Sequence, residues 1–186
     1  MSLVKPSVEY LGGYRAALTR HWSPNTMDPE AWQWELQRLD ADPLAFLATQ
    51  DDREALGGPL TLPNGTQAPR LPSFKRWIWD GEFVGLVSVR WQPGTPVLPP
   101  YVLGHVGYGV VPWKRGQGYA TAALGAVLPE VSELGLPYIE LTTDLDNVPS
   151  QKVITANGGQ LVERFLKPAA DGIDRPAVRW RIPLAG

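Results

Sequence analysis

The sequence predicts a mixed α/β domain, of the α+β kind, with a largely antiparallel sheet. Three observations carry this. A helical first third gives way near residue 74 to a strand–turn–strand unit, strand and helix then alternate from residue 103 to 157, and two further apolar runs close the chain as an antiparallel pair.

Taken in order, a short strand is expected at Leu3-Val4, followed by a helix from Val8 to Arg20 whose apolar face is Val8, Leu11, Ala16 and Leu18. Asp28-Pro29-Glu30 reads as a helix start, with Asp at the N-cap, Pro at the first helical position and Glu near the positive end of the dipole, and the helix runs to about Leu39. Asp42-Pro43 opens a shorter helix through Leu47. Residues 51–73 are loop by composition, and loops of that length more often serve as lids or binding loops than as plain connections. Phe74–Trp79 and Glu82–Arg90 flank Asp80-Gly81 as a hairpin with a two-residue turn. A strand follows from Leu103 to Val111, in which Gly107 and Gly109 call for a bulge or a close backbone approach. Ala120, Ala123, Leu124, Val127, Leu128, Val131 and Leu134 then share one helical face, with Pro129 expected to kink the helix or cost it a hydrogen bond. Tyr138–Asp144 is a strand, Pro149–Asn157 a short helix stopped by Gly158-Gly159, and Leu161–Leu166 with Ala177–Leu184 the closing pair.

Composition narrows the function classes. The 186 residues include 19 glycines and 19 prolines, roughly a fifth of the chain against a typical share of about 12%. With 44% hydrophobic residues and eight tryptophans, that excess signals turns and close backbone approaches in a packed domain rather than disorder. One domain, residues 1–186, fits the length. A formal charge of −2 offers no broad footprint for nucleic acid or anionic lipid. The absence of cysteine removes thiolate chemistry and suits a reducing cytoplasm, and two histidines do not make a His-rich metal site, so no metal is expected. The start, MSLVKPSVEY, lacks the apolar run of a signal peptide. The uncharged stretch from Trp91 to Trp113 holds five prolines and four glycines, which excludes a membrane span.

The stretch that carries chemistry is Val110-Val111-Pro112-Trp113-Lys114-Arg115-Gly116-Gln117-Gly118-Tyr119-Ala120-Thr121. A strand ends, a basic, glycine-containing loop turns, and an amphipathic helix begins. That arrangement aims backbone N–H groups and a positive helix end at one spot, with Lys114 and Arg115 adding charge, and it suits a phosphate. A P-loop reading fails, because Gly118 is followed by Tyr119-Ala120 rather than Lys-Ser/Thr. A dinucleotide fingerprint has its GxG at Gly116 and Gly118 and an acidic residue at Glu140 or Asp144, but Thr121 stands at the third glycine and antiparallel strands follow.

Arg115-Gly116-Gln117-Gly118-Tyr119-Ala120 resembles the (Q/R)xxGx(G/A) acetyl-CoA loop of the GNAT N-acetyltransferase superfamily. Gly107-Tyr108-Gly109-Val110-Val111-Pro112 is similar to the strand that leads into that loop, Asn147 to Ser150 with Gly158-Gly159 looks like the family's Nxx(S/A) helix, and the Trp79–Arg90 hairpin falls at the family's second and third strands. The resemblance is tight over residues 103–166, looser before them, and nearest to bacterial acetyltransferases of unassigned substrate. It implies a twisted sheet with splayed central strands and flanking helices. It also implies a pyrophosphate site on Arg115, Gly116, Gln117, Gly118, Tyr119 and Ala120, pantetheine pairing with the backbone of Val110 and Val111, and Asn147 and Ser150 beside the cofactor's lower arm. Asn147 and Ser150 equally suit simple helix capping.

The implied reaction is direct attack of a primary amine, on a small molecule or a protein, upon the thioester of acetyl-CoA in the cytoplasm, with no nucleic acid or membrane partner and a homodimer as the candidate assembly. The amine must first lose a proton, through a side chain or an ordered water. The position of the family's usual acid, a tyrosine on the short helix, holds Ile154. Two base candidates are His105, which has a suitable intrinsic pKa, and Glu140, whose alternative role is a salt bridge to Arg179 or Arg181. An acetyl-CoA-binding module without catalysis is the alternative reading, and a dinucleotide-binding protein a distant third. Trp22, Trp32, Trp34, Trp77, Trp79 and Trp91 fall in the regions that face the acceptor in this fold, although some of them must be core.

Overall fold

The structure, a computed structural model, describes residues 1–62, 65–168 and 173–184. In chain order its elements are β1 (Ser2–Val4), α1 (Val8–Thr19), α2 (Ala31–Ala41), α3 (Pro43–Ala48), β2 (Asp51–Asp52), β3 (Leu60–Thr61), β4 (Gln67–Ala68), β5 (Ser73–Trp79), β6 (Phe83–Arg90), β7 (Val106–Val110), a 3-10 turn at Pro112–Lys114, α4 (Tyr119–Ser132), β8 (Tyr138–Asp144), α5 (Val148–Ala156), β9 (Gln160–Lys167) and β10 (Arg175–Pro183). Strand pairing is antiparallel throughout the described residues, which removes the parallel sheet that a dinucleotide fold requires.

The strands form two main sheets. One has the order β1-β5-β6-β7, with β2 also on β5, and the other the order β8-β10-β9. They meet at a short seam just before β7, where His105 N–H donates to the Glu140 carbonyl at 2.7 Å and the Thr142 hydroxyl donates to the Leu103 carbonyl at 2.6 Å. Past the seam β7 pairs with β6 alone, so the central strands splay as the family resemblance implies.

Side chains of alternating polarity place a layer on each face of the first sheet. Phe74, Ile78, Val87 and Val89 pack with Ala123, Leu124, Val127 and Val131 of α4 and with Ile139, Leu141 and Ile154, so this core spans both sheets. On the other face Trp77, Phe83 and Leu86 receive Tyr14, Leu18, Trp22, Leu39 and Phe46 from the N-terminal helices. The Trp77 and Tyr14 rings stack at 4.5 Å. Trp77 and Trp22 are therefore core, whereas Trp34 is exposed. No helix of the described residues is long and apolar enough to cross a membrane.

Four expectations need correction. The hairpin turn spans three residues, with Gly81 at φ 73° and a register shift between Ile78 and Trp79. The β6–β7 register runs unbroken from Gly85↔Val110 to Val89↔Val106, so Gly107 and Gly109 mark no bulge. The second helix starts at Ala31 rather than Pro29, because Asp28 spends its carboxylate on the Glu30 N–H, 3.1 Å, and the residues between form a turn. The 51–73 segment is stitched by three two-residue strands, of which β2 joins the main sheet and β3 pairs with β4; residues 63 and 64 of it lie outside the described residues. α4 continues through Pro129 to Ser132.

Candidate functional site

The strand-to-helix loop has the shape its sequence suggested. After the 3-10 turn Arg115 is extended, Gly116 takes φ 75° and Gly118 takes φ 81° as the N-cap of α4. Glycine adopts these angles without the Cβ clash that other residues meet. The first bond of α4 runs from Ala122 N–H to the Gly118 carbonyl at 3.0 Å, which leaves the N–H groups of Tyr119, Ala120 and Thr121 without a helical acceptor. With the exposed backbone of Gly116, Gln117 and Gly118 they make a row of donors at the positive end of a 14-residue helix.

The loop is clamped to the β5–β6 turn. Lys114 pairs with Glu82 at 2.6 Å, and the Tyr119 hydroxyl donates to Asp80, whose carboxylate also lies 3.7 Å from the amino terminus. Arg115 donates from Nε to the Val110 carbonyl at 3.1 Å. Lys114 is thus neutralised by Glu82 rather than free for an anion. Asp80 and Glu82 had no sequence signal beyond being acidic residues at a turn.

Backbone direction in β7 follows from its register. Arg90 N–H donates to the His105 carbonyl at 2.8 Å and Val111 N–H to the Val84 carbonyl at 2.9 Å, so odd-numbered residues of this segment face β6. The backbone groups of Tyr108 and Val110 point the other way, into the split. The expectation for Val111 needs correction here, since its N–H is already held by Val84.

On the far side of the split, the Asn147 side chain caps α5 by accepting Ser150 N–H at 3.1 Å. The Tyr108 hydroxyl reaches across to Ser150, 2.7 Å from its Oγ and 3.2 Å from its carbonyl oxygen. Asn157 at the other end of α5 donates to the Thr121 carbonyl in the first turn of α4, 3.1 Å. Val110, the 115–120 loop, Asn147 and Ser150 therefore border one cleft.

His105 and Glu140 come together at the seam, but through backbone. The buried imidazole accepts Glu140 N–H on Nδ1 at 2.9 Å, which puts its proton on Nε2, and that atom is buried with no hydrogen-bond partner. The Glu140 carboxylate accepts from Arg181 at 2.6 Å and from Arg179 at 3.3 Å. Neither residue, as placed, offers a free lone pair to the cleft.

Burial is the main cause holding the His105 imidazole down to about 4, with Arg90 nearby adding to the effect against the opposing pull of Glu140. The unfolded chain, with an ordinary value of about 6.5, then binds more protons than the folded one between these limits. Stability is therefore expected to fall as pH drops from about 6.5 to 4, by about 3 kcal/mol from this residue. Urea unfolding of the wild type and of His105→Asn across that range checks it. The variant should lack this part of the slope, and equal slopes would refute the assignment.

The family model of the acetyltransferase (GNAT) domain matches residues 15–160. The chain belongs to the GNAT acetyltransferase family. Membership carries acetyl-CoA-dependent N-acetyl transfer as its activity. No curated protein sequence matches the chain. Among solved structures, this acetyltransferase is similar to RimL, a ribosomal alpha-N-protein acetyltransferase in complex with coenzyme A, at 13% identity and TM-score 0.62 over 98% of this chain and 93% of that one. It is similar also to a SpeG spermidine N-acetyltransferase chimera from Vibrio cholerae and hSSAT, at 12% identity and TM-score 0.61 over 98% and 96%. RimJ from Mycobacterium smegmatis in complex with CoA-disulfide gives 21% identity and TM-score 0.59 over 97% and 80%. At such identities these likenesses speak for the fold. In the GNAT frame, Tyr108 is a residue that the sequence motif names without assigning it a part, and its hydroxyl is what reaches across the split to Ser150.

Proposed function

We propose that residues 1–186 act as one domain that moves the acetyl group of acetyl-CoA to a primary amine by direct attack, with the cofactor held by the 103–166 region. The observation that carries this reading is the meeting of two sets of backbone groups: the donors of residues 116–121 at the α4 terminus and the groups that Tyr108 and Val110 turn away from β6, of which the Val110 carbonyl accepts from Arg115. A pyrophosphate suits the first set and an amide-bearing arm such as pantetheine the second. Arg115, exposed and tied only to the Val110 carbonyl, adds charge beside the phosphates.

Acetyl-CoA supplies the activated acyl group and a leaving thiol whose pKa, about 8.5 by analogy with cysteine, makes an acid dispensable. That fits Ile154 at the usual acid position. The Val110 N–H faces the place where an oxyanion would form. In this reading His105 and Glu140, the two base candidates, act as positioning residues that hold the seam, and the amine loses its proton to water. The paired state of Glu140 and the missing tyrosine also favour a second reading, an acetyl-CoA-binding module that catalyses nothing.

One pair of measurements tests both. Acetyl-CoA at a hundred times its Kd is expected to stabilise the fold by about 2.7 kcal/mol, read as a rise in melting temperature that NAD does not produce. Thiol release should then depend on an added amine. No stabilisation overturns the site, and stabilisation without thiol release from any amine leaves the binding module. Cytoplasmic location and a homodimer belong to this reading as well.

A further inference from the structure

On the sheet face covered by the N-terminal helices, polar residues replace the apolar ones toward the end of β5 and β6 that lies next to the seam. Arg90 is partly buried there, a guanidinium nitrogen donates to the Ser88 hydroxyl at 2.9 Å, and among the described residues no carboxylate lies within ion-pair distance. The guanidinium lies over Gly107, where an added Cβ would come 3.5 Å from it. Directly across the ladder is His105, whose buried Nε2–H faces the backbone of Pro96 without reaching full hydrogen-bond geometry. A charged group buried without a partner is costly, and a buried donor without one is costly too. Burial lowers the Arg90 pKa, as it would for a cation with no anion beside it.

The neighbouring cavity points the same way. Arg90 pairs in register with Ser73 and Ser88 with Lys75, so these four side chains share a face. Ser73 and Lys75 in turn line a cavity of about 210 Å³ together with Arg38, Arg70, Glu35 and Gln50 among others. Its carboxylates are committed: Glu35 accepts from Tyr14 and pairs with Lys75 at 3.4 Å, and Asp52 accepts the N–H groups of Leu56 and Gly57. Arg38 and Arg70 bond only to the Thr49 hydroxyl, 3.4 Å, and the Gly58 carbonyl, 2.9 Å. Three arginines thus gather on this face against one carboxylate, Asp52, that has no ion-pair partner among the described residues.

We propose that the acceptor of this transferase is a small amine that also carries an anionic group, a carboxylate or a phosphate, which the Arg90 guanidinium receives. The proposal rests on the transfer reading above and names the substrate class for it. Gly107 is three residues from Val110, about 10 Å along the strand, so the guanidinium stands beyond the stretch that pairs with pantetheine and within reach of an amine's own substituents. A polyamine is disfavoured by the same three arginines, since like charges repel.

The test uses the full chain saturated with CoA and reads melting temperature, then turnover with acetyl-CoA. The ligands are the free amino acids, their amides, phosphoethanolamine and spermidine. Stabilisation by amino acids but not amides assigns a carboxylate, and stabilisation by phosphoethanolamine assigns a phosphate. In either case kcat/KM for the preferred anion-bearing amine should exceed that of its neutral counterpart at least tenfold, and Arg90→Gln should erase the difference while CoA affinity stays the same. Equal response to acids and amides, preference for spermidine, or no response to any anion-bearing amine overturns the proposal. The acid-against-amide comparison needs no variant, so it stands even if Arg90→Gln fails to fold. A failure of CoA itself to stabilise the chain would instead indict the cofactor site.

Discussion

Gly85→Ala is expected to lower the folding stability by about 3 kcal/mol or more, the upper end of the cost of overpacking, because the clash is with backbone. A Cβ at Gly85 would lie 2.1 Å from the Gly109 carbonyl oxygen and 2.9 Å from the Val110 Cα, and neither can move without prising β7 from β6. Gly107→Ala is the control. Its Cβ would meet only the Ser88 hydroxyl at 3.3 Å and the Arg90 tip at 3.5 Å, both ends of movable side chains. Urea midpoints of the two variants measure the contrast, and equal shifts would refute it. Because β7 forms one wall of the cleft, Gly85→Ala protein that does fold should also bind acetyl-CoA more weakly.

The second large effect falls on binding. Gly118→Val is expected to raise the Kd for acetyl-CoA at least 30-fold, about 2 kcal/mol. Gly118 holds φ 81° as the N-cap of α4, a conformation that costs a side-chain-bearing residue about 1–2 kcal/mol and a β-branched one more. Relief of that strain turns the N–H groups of Tyr119 and Ala120 away from their common focus. Isothermal calorimetry decides: an unchanged Kd would mean that these amides are not the phosphate donors. The loop's clamps to Asp80 and Glu82 should keep the overall fold intact meanwhile.

The parts of this molecule that were legible in its sequence are those fixed by local rules. Tyr138–Asp144 was bounded to the residue, and Asp42 caps α3 as its Asp-Pro signal promised, accepting from Leu44 and Ala45 N–H. The basic, glycine-containing loop was visible as a motif, and its Gly116 and Gly118 do stand at positive φ. What stayed hidden depends on register and on contacts distant in sequence. Whether Val110 or Val111 turns its N–H to the cleft is a matter of one residue's phase, settled only by the Val84 pairing. His105 looked like a base by residue type alone, and only the Glu140 N–H shows which ring nitrogen is spent. Arg90 carried no signal in the linear sequence, because an arginine at the end of an amphipathic strand reads as a solvated one until the ladder sets it beside His105 and Ser73. The Pro-rich connections likewise hid β2, since two residues of ladder are too few to leave a periodic pattern.

The unpaired side of β7 has a further meaning. An open strand edge is an invitation to a stranger: its free N–H and C=O groups template the addition of another chain, and proteins usually blunt such edges with lysines, prolines or bulges. β7 reads Val-Gly-Tyr-Gly-Val and carries none of these devices, and its register is regular. Its protection is architectural. The second sheet lies across the split from this edge, and the Tyr108 hydroxyl ties the strand to Ser150 of α5. One geometry thus serves two ends, withholding this edge from a second copy of the chain while leaving its backbone groups turned toward the split.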